Sequence, residues 1–340
     1  MEQLNCKNSI SPTNLVNNKI LGVISFIKII KIMKTTIKNY LILLSVITFL
    51  SACSKKKSEP IKQYAKTEKE LNYHPTILPK DTTNLWIGEG DINSDTAFIV
   101  IEGGPHNKIY FQTHGIDVWS ALPEYYNYYR AHIHQVNGLN TSIYNWKYEF
   151  THEMGELEVN NELEALARTV KYFKDRNKKV ILAGTSWGAV LIPYYLIKYG
   201  NNVDKIIISA GRLDSNPMQV KYFLKGFNSG FAEDGKTIRF PDTTRVRNPN
   251  RGERYHKISR VKQFMKGFLG KYKFTDELAN VDLSNVVYAY AKNDPQIGAL
   301  TEEELRFLES KGVPVYVSDE GHAGPDRVII KMVQEGKIEL

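Results

Sequence analysis

The chain has 340 residues, 42% of them hydrophobic, with 45 Lys and Arg against 37 Asp and Glu for a formal net charge of +8. That length allows one large α/β domain or two small ones, with enough interior for a sizeable core. The excess charge belongs to the first 70 residues, which hold 12 Lys and 4 acids; residues 71–340 hold 33 basic and 33 acidic side chains. A nucleic-acid partner gets no support from that charge and none is expected, because phosphate binding needs a basic face on the folded domain. The two cysteines, Cys6 and Cys53, form no CxxC pair or Cys/His cluster, so neither a disulfide framework nor a metal site is expected. No cofactor is implied.

In chain order, the first pattern begins at Met33. Lys34 and Lys38 are followed by an apolar stretch from Tyr40 to Leu50 and by the small residues Ser51 and Ala52. This is the three-part pattern of a secretory signal, and its apolar part is about half the roughly 20 residues of a spanning helix. Leu50-Ser51-Ala52-Cys53 resembles the lipobox of bacterial lipoproteins. The resemblance implies acylation of Cys53 and an exported protein, lipid-anchored to a membrane of the bacterial cell envelope. Residues 1–52 are then leader and signal peptide, with the true start at Met33. Residues 53–82, which include Lys55-Lys56-Lys57, read as a polar tether.

From Leu85 short apolar runs alternate with helical periods. Strands are expected at 85–88, 97–101, 131–134, 180–183, 205–209, 286–290 and 313–317, mostly as continuous apolar runs suited to a sheet covered on both faces. Helices are expected from Asn161 to Arg176, from Thr301 with a capping box to Glu304, and from Gly324 with Pro325 in its first turn. The alternation predicts an α/β fold with a mostly parallel sheet and helices on both faces. The core comprises 83–212 and 283–340. Residues 213–282 break the pattern and read as an inserted lid. From Lys236 to Lys273 it carries twelve basic and two acidic residues. Acids of the core, notably between Glu149 and Glu164, are expected to neutralise it; the alternative is that part of its charge faces the cleft.

The stretch Gly184-Thr185-Ser186-Trp187-Gly188 lies between the run ending at Ala183 and a helical segment. A serine on a tight strand-to-helix turn has its hydroxyl exposed above the sheet, and small neighbours allow the close approach that the turn requires. Such a nucleophile needs a base and an orienting acid, in the chain order Ser, Asp or Glu, His. Asp294 follows the run 286–291, and His322 follows the run 313–317. Asp319 and Glu320 are nearer His322 in sequence but would have to fold back on their own loop. The oxyanion hole is assigned to the backbone N–H groups of Trp187 and of Gly104, in the loop "EGGPH" after the run 97–101.

"GTSWGA" and "EGGP" resemble the elbow and the His-Gly-Gly-Pro loop of the proline iminopeptidase branch of α/β-hydrolases. Residues 132–142 resemble its third motif, with Gln135 and Ser142 kept. The resemblance implies an α/β-hydrolase fold with an inserted lid and supports the triad Ser186, Asp294 and His322. The chain departs from that branch at Glu102 and His106 and lacks the Arg of the third motif. Its insertion is basic, where that branch uses acidic lid residues to hold the substrate's amino group. The sequence therefore points to a serine hydrolase acting on a small-molecule or peptide ester or amide. An aminopeptidase and a catalytically silent surface-binding lipoprotein are the competing expectations.

Overall fold

The computed structural model describes residues 73–109, 117–144, 149–240 and 252–340, without the side chains of Thr141 and 252–258. The expected leader, signal, Met33 start, Cys53 and the tether up to residue 72 lie outside the described residues. Among the described residues no helix is long and apolar enough to cross a membrane.

Among the described residues seven strands form the main sheet: β1 (Trp86–Glu89), β2 (Thr96–Ile101), β3 (Tyr129–Ile133), β4 (Lys179–Thr185), β5 (Lys205–Ser209), β8 (Val286–Ala291) and β9 (Val315–Ser318). Their order is β1-β3-β2-β4-β5-β8-β9. Only the edge strand β1 runs antiparallel, to β3; the remaining pairs are parallel. Side chains alternate across β2: Phe98 and Val100 face one core with Trp119, Ile181 and Ile329, whereas Ile99 and Ile101 face the other with Leu182, Leu166 and Ile192. Both faces are therefore covered, which is why the central strands read as unbroken apolar runs.

The helices are α1 (His152–Lys174), α2 (Trp187–Tyr199), α3 (Pro217–Phe223), α4 (Gly252–Leu269), α5 (Glu302–Ser310) and α6 (Gly324–Gln334), with one-turn helices at Val136–Leu139 and Phe274–Glu277. The tight strand-to-helix turn at Ser186 after central β4, the antiparallel edge and an insertion after β5 make this an α/β-hydrolase fold. The expected capping box at Thr301 and Glu304 is present.

Several boundaries differ from expectation. Helix α1 starts at His152, nine residues before Asn161, with Thr151 as its N-cap. Its first turns bury Glu158 and Glu162, so their apolar period is broken and the helix is invisible there to hydropathy. Residues 73–80, read as tether, lie along α1. Glu158 accepts from Tyr73 Oη at 2.7 Å and from Thr76 N at 3.0 Å, and Arg168 donates to the carbonyls of Pro79 and Lys80. These bonds involve mostly backbone of the segment, and backbone bonding leaves no hydrophobic signature.

Between β5 and β8 the insertion contains α3, a hairpin of β6 (Gly230–Phe231) and β7 (Ile238–Arg239), α4 and the turn at Phe274–Glu277. Helix α4 buries Val261, Phe264, Met265, Phe268 and Leu269 against the core. Its approach to α1 is close at Gly155, where a Cβ would lie 3.1 Å from Phe264. Of the insertion's basic side chains, Arg245, Arg247, Arg251, Arg254 and Lys257 lie outside the described ones; among those described, Arg260 and Lys271 act on the 149–164 acids, at Glu149 and Glu153. Glu149 pairs with Arg260, but Glu158 and Glu162 point into the core, Glu153 pairs with His152 and Glu164 accepts from Tyr199.

Candidate active site

Ser186 stands at the N-cap of α2 with φ 57° and ψ −100°, a left-handed conformation that an L-residue adopts only under constraint. The constraint comes from its neighbours. Strand β4 ends at Thr185, and Ser186 N donates to Ser209 O at 3.0 Å, tying the turn to β5. A Cβ on Gly184 would sit 2.7 Å from the backbone of Gly188, and one on Gly188 would sit 2.2 Å from Ile101 O. Glycine is required at both positions because backbone occupies the space, joined at Gly184 by Ile192 Cδ1 at 2.6 Å.

Three of the residues singled out in the sequence meet here. His322 Nε2 lies 3.0 Å from Ser186 Oγ, and His322 Nδ1 lies 2.6 Å from Asp294 Oδ2. Asp294 is 1% exposed and follows β8; its other oxygen accepts from Gln296 N at 2.8 Å and Ile297 N at 3.1 Å. Those two bonds fix which oxygen faces the imidazole. Asp319, by contrast, is exposed and paired with Lys292 at 3.3 Å, and Glu320 is paired with Arg327.

Gly104 and Trp187 both line the cavity that contains Ser186. Trp187 opens α2, so its N–H has no partner within the helix. Gly103 is the residue against the serine, where a Cβ would lie 3.4 Å from Ser186 Cβ. Gln135 holds this loop: Nε2 donates to Glu102 O at 3.2 Å and Gly103 O at 2.9 Å, while Oε1 accepts from His106 N. Ser142, the other residue kept from the third motif, lies elsewhere and bonds Asn140 and the backbone of His74. Glu102 approaches buried His132 at 3.9 Å.

Sequence reasoning missed four side chains that shape the site. Glu162 on α1, fully buried, accepts from Trp187 Nε1 at 2.7 Å; burial pushes its carboxyl up to about 8, against the donors Trp187 and Val136 N. Asp326 on α6 accepts from Thr185 Oγ1 at 2.9 Å and from Ser209 Oγ, bracing both strands that frame the serine; burial raises its pKa. Arg212 lines the cavity and is bonded to buried Glu304 at 2.9 and 3.2 Å. Lys266 of α4 lines the same cavity. Nothing local marks these residues, since each acts across 25 or more positions.

Among the described residues no cluster of His, Cys, Asp and Glu is suited to a metal ion. No protein-family model and no curated protein matches the chain. Solved structures of similar fold include a lipase-esterase related protein from Clostridium acetobutylicum, 14% identical over 74% of this chain and 96% of that one, TM-score 0.44. Another is MGS-M2, an α/β hydrolase enzyme from a deep-sea metagenome library, 11% identical over 75% and 94%, TM-score 0.46. MenH from S. aureus is 13% identical over 74% and 99%, TM-score 0.42. At such identities likeness extends to the fold alone.

Proposed function

We propose that this protein is a serine hydrolase that cleaves an ester or amide bond through an acyl-enzyme on Ser186. The observation that carries the reading is the hydrogen-bonded series from Ser186 Oγ through His322 to buried Asp294. In this mechanism His322 Nε2 takes the hydroxyl proton as Oγ attacks the carbonyl carbon, then delivers it to the leaving group. Asp294 keeps Nδ1 protonated and stabilises the imidazolium. The oxyanion is met by the N–H groups of Trp187 and Gly104, with the amino-terminal dipole of α2 aimed at the same charge. Water then repeats the sequence on the acyl-enzyme, with His322 as base.

The proline iminopeptidase resemblance suggests an aminopeptidase as the second reading. It needs carboxylates to hold a substrate ammonium. The cavity wall instead carries Arg212 and Lys266, and the acid beside Arg212, Glu304, is already bonded to it. An ester or acyl amide without a free amino group is the better fit. The signal pattern before Cys53 adds the proposal that the enzyme works at the cell envelope on a lipid anchor.

Labelling with a fluorophosphonate tests the chemistry before any substrate is known. The protein incorporates one label per chain, and Ser186→Ala incorporates none. Equal labelling of the two would remove the mechanism and leave the silent binding protein as the better account.

A further inference from the structure

Lys266 lies on the insertion, yet it forms part of the wall of a cavity of about 60 Å³ shared with Ser186, Gly104 and Trp187. Behind it on the same helix face, four residues back, is Lys262, whose Nζ is 3.2 Å from His106 Nδ1 in the Gly104 loop. Among the described residues, no carboxylate comes within 4 Å of either ammonium, whereas the cavity's other cation, Arg212, is neutralised by Glu304 at 2.9 Å. His106 does not supply a negative partner either. Burial and the two lysines hold its pKa down to about 4, so it is neutral at pH 7.

Two like charges partly withdrawn from water, with no counter-charge among the described residues, are an unfavourable arrangement that an anionic ligand would relieve. The strain is legible in Lys266, where burial first and Lys262 second bring the ammonium down to about 8. Near neutral pH it is still mostly charged. The remaining polar side chains of the wall, Ser215, Gln219 and Gln296, are neutral and able to donate hydrogen bonds. A wall with an unpaired cation, neutral donors and a hydroxyl nucleophile is complementary to a small oxyanion held next to a reacting carbonyl.

We propose that Lys266, backed by Lys262, binds a carboxylate of the substrate beside Ser186, so that the enzyme selects esters or amides whose acyl part or leaving group is anionic. The inference rests on the serine-hydrolase reading of this site and adds its substrate class. Lys266 is a specificity residue here: it takes no part in proton transfer and acts by making the acidic substrate bind where the neutral one does not.

Two matched pairs of substrates test it with the full chain. The p-nitrophenyl monoester of succinate against p-nitrophenyl butyrate varies charge on the acyl side. 4-Acetoxybenzoate against its methyl ester varies charge on the leaving group. The anionic member of at least one pair has a kcat/KM at least tenfold above its neutral partner. Lys266→Met removes that ratio, and Lys266→Arg, which keeps the charge, retains most of it. A smaller preference in both pairs overturns the proposal, as does a Lys266→Met loss that is equal for both members of a pair. Ser186-dependent turnover of neutral esters without anionic preference would sink this inference and leave the hydrolase reading intact. Binding of monomethyl succinate to Ser186→Ala, read as a saturable rise in melting temperature, is independent of turnover. The rise disappears in the Lys266→Met, Ser186→Ala double variant; no rise, or the same rise in both, counts against the carboxylate site.

Discussion

Glu162 makes folding stability depend on pH in a direction opposite to most carboxylates. It is fully buried, and its Oε1 accepts from Trp187 Nε1 at 2.7 Å. Burial raises its pKa from 4.5 to about 8, so the folded state holds a proton there across that interval and the unfolded chain does not. Its contribution is fully present below pH 4.5 and is lost as pH rises through about 8. Within the window the loss approaches about 1.4 kcal/mol per pH unit, or roughly 2–3 kcal/mol between pH 5 and 7. Glu162→Gln keeps an acceptor for the indole and removes the titration. Guanidinium melts of parent and Glu162→Gln at pH 5, 6, 7 and 8 isolate the effect, since other titrating groups cancel in the difference. The parent's advantage over the variant shrinks steadily as pH rises. A difference that stays level from pH 5 to 8 refutes the reasoning, and with it the view that a neutral carboxyl anchors Trp187, the residue after Ser186.

Asp294→Asn lowers kcat by about 10⁴ with the melting temperature little changed, because the imidazole is held in the wrong tautomer. Asp319→Asn, at an exposed surface pair, leaves ester turnover near the parent's value; the reverse pattern would reassign the acid. Gly188→Ala sets a Cβ 2.2 Å from Ile101 O and forces α2 away from β2. Chemical denaturation shows a loss of at least about 1–3 kcal/mol, and fluorophosphonate labelling slows. Cys53→Ser releases the protein from membranes in fractionation or blocks its maturation; persistent membrane association with no acyl group on the parent removes the lipid anchor.

Much of the fold was legible because it is written locally. Buried parallel strands must be apolar along their whole length, and 97–101, 180–183, 205–209 and 286–290 announce themselves in that way. The turn at Ser186 was legible for a similar reason: glycines at 184 and 188 record a backbone collision with Ile101 and with each other. Where apolar period is interrupted, the sequence misled. Helix α1 begins earlier than its periodicity because Glu158 and Glu162 are buried polar residues, and α4 hides its apolar face among charges. The early segment 73–80 reads as tether in the sequence because most of its bonds to α1 use its backbone.

By itself, then, the sequence determined the layered α/β architecture, the position of the elbow serine and the order in which an acid and a histidine follow it. Those features depend on residues within a few positions of one another or on runs of one polarity. Only the tertiary structure decided which carboxylate reaches His322, that Glu162 and Asp326 brace the elbow, and that Lys266 faces the cavity while Glu149 takes Arg260. A side chain's partner across 25 to 141 residues is set by how helices and strands pack, and packing sums weak, non-directional contacts that no short stretch of sequence contains.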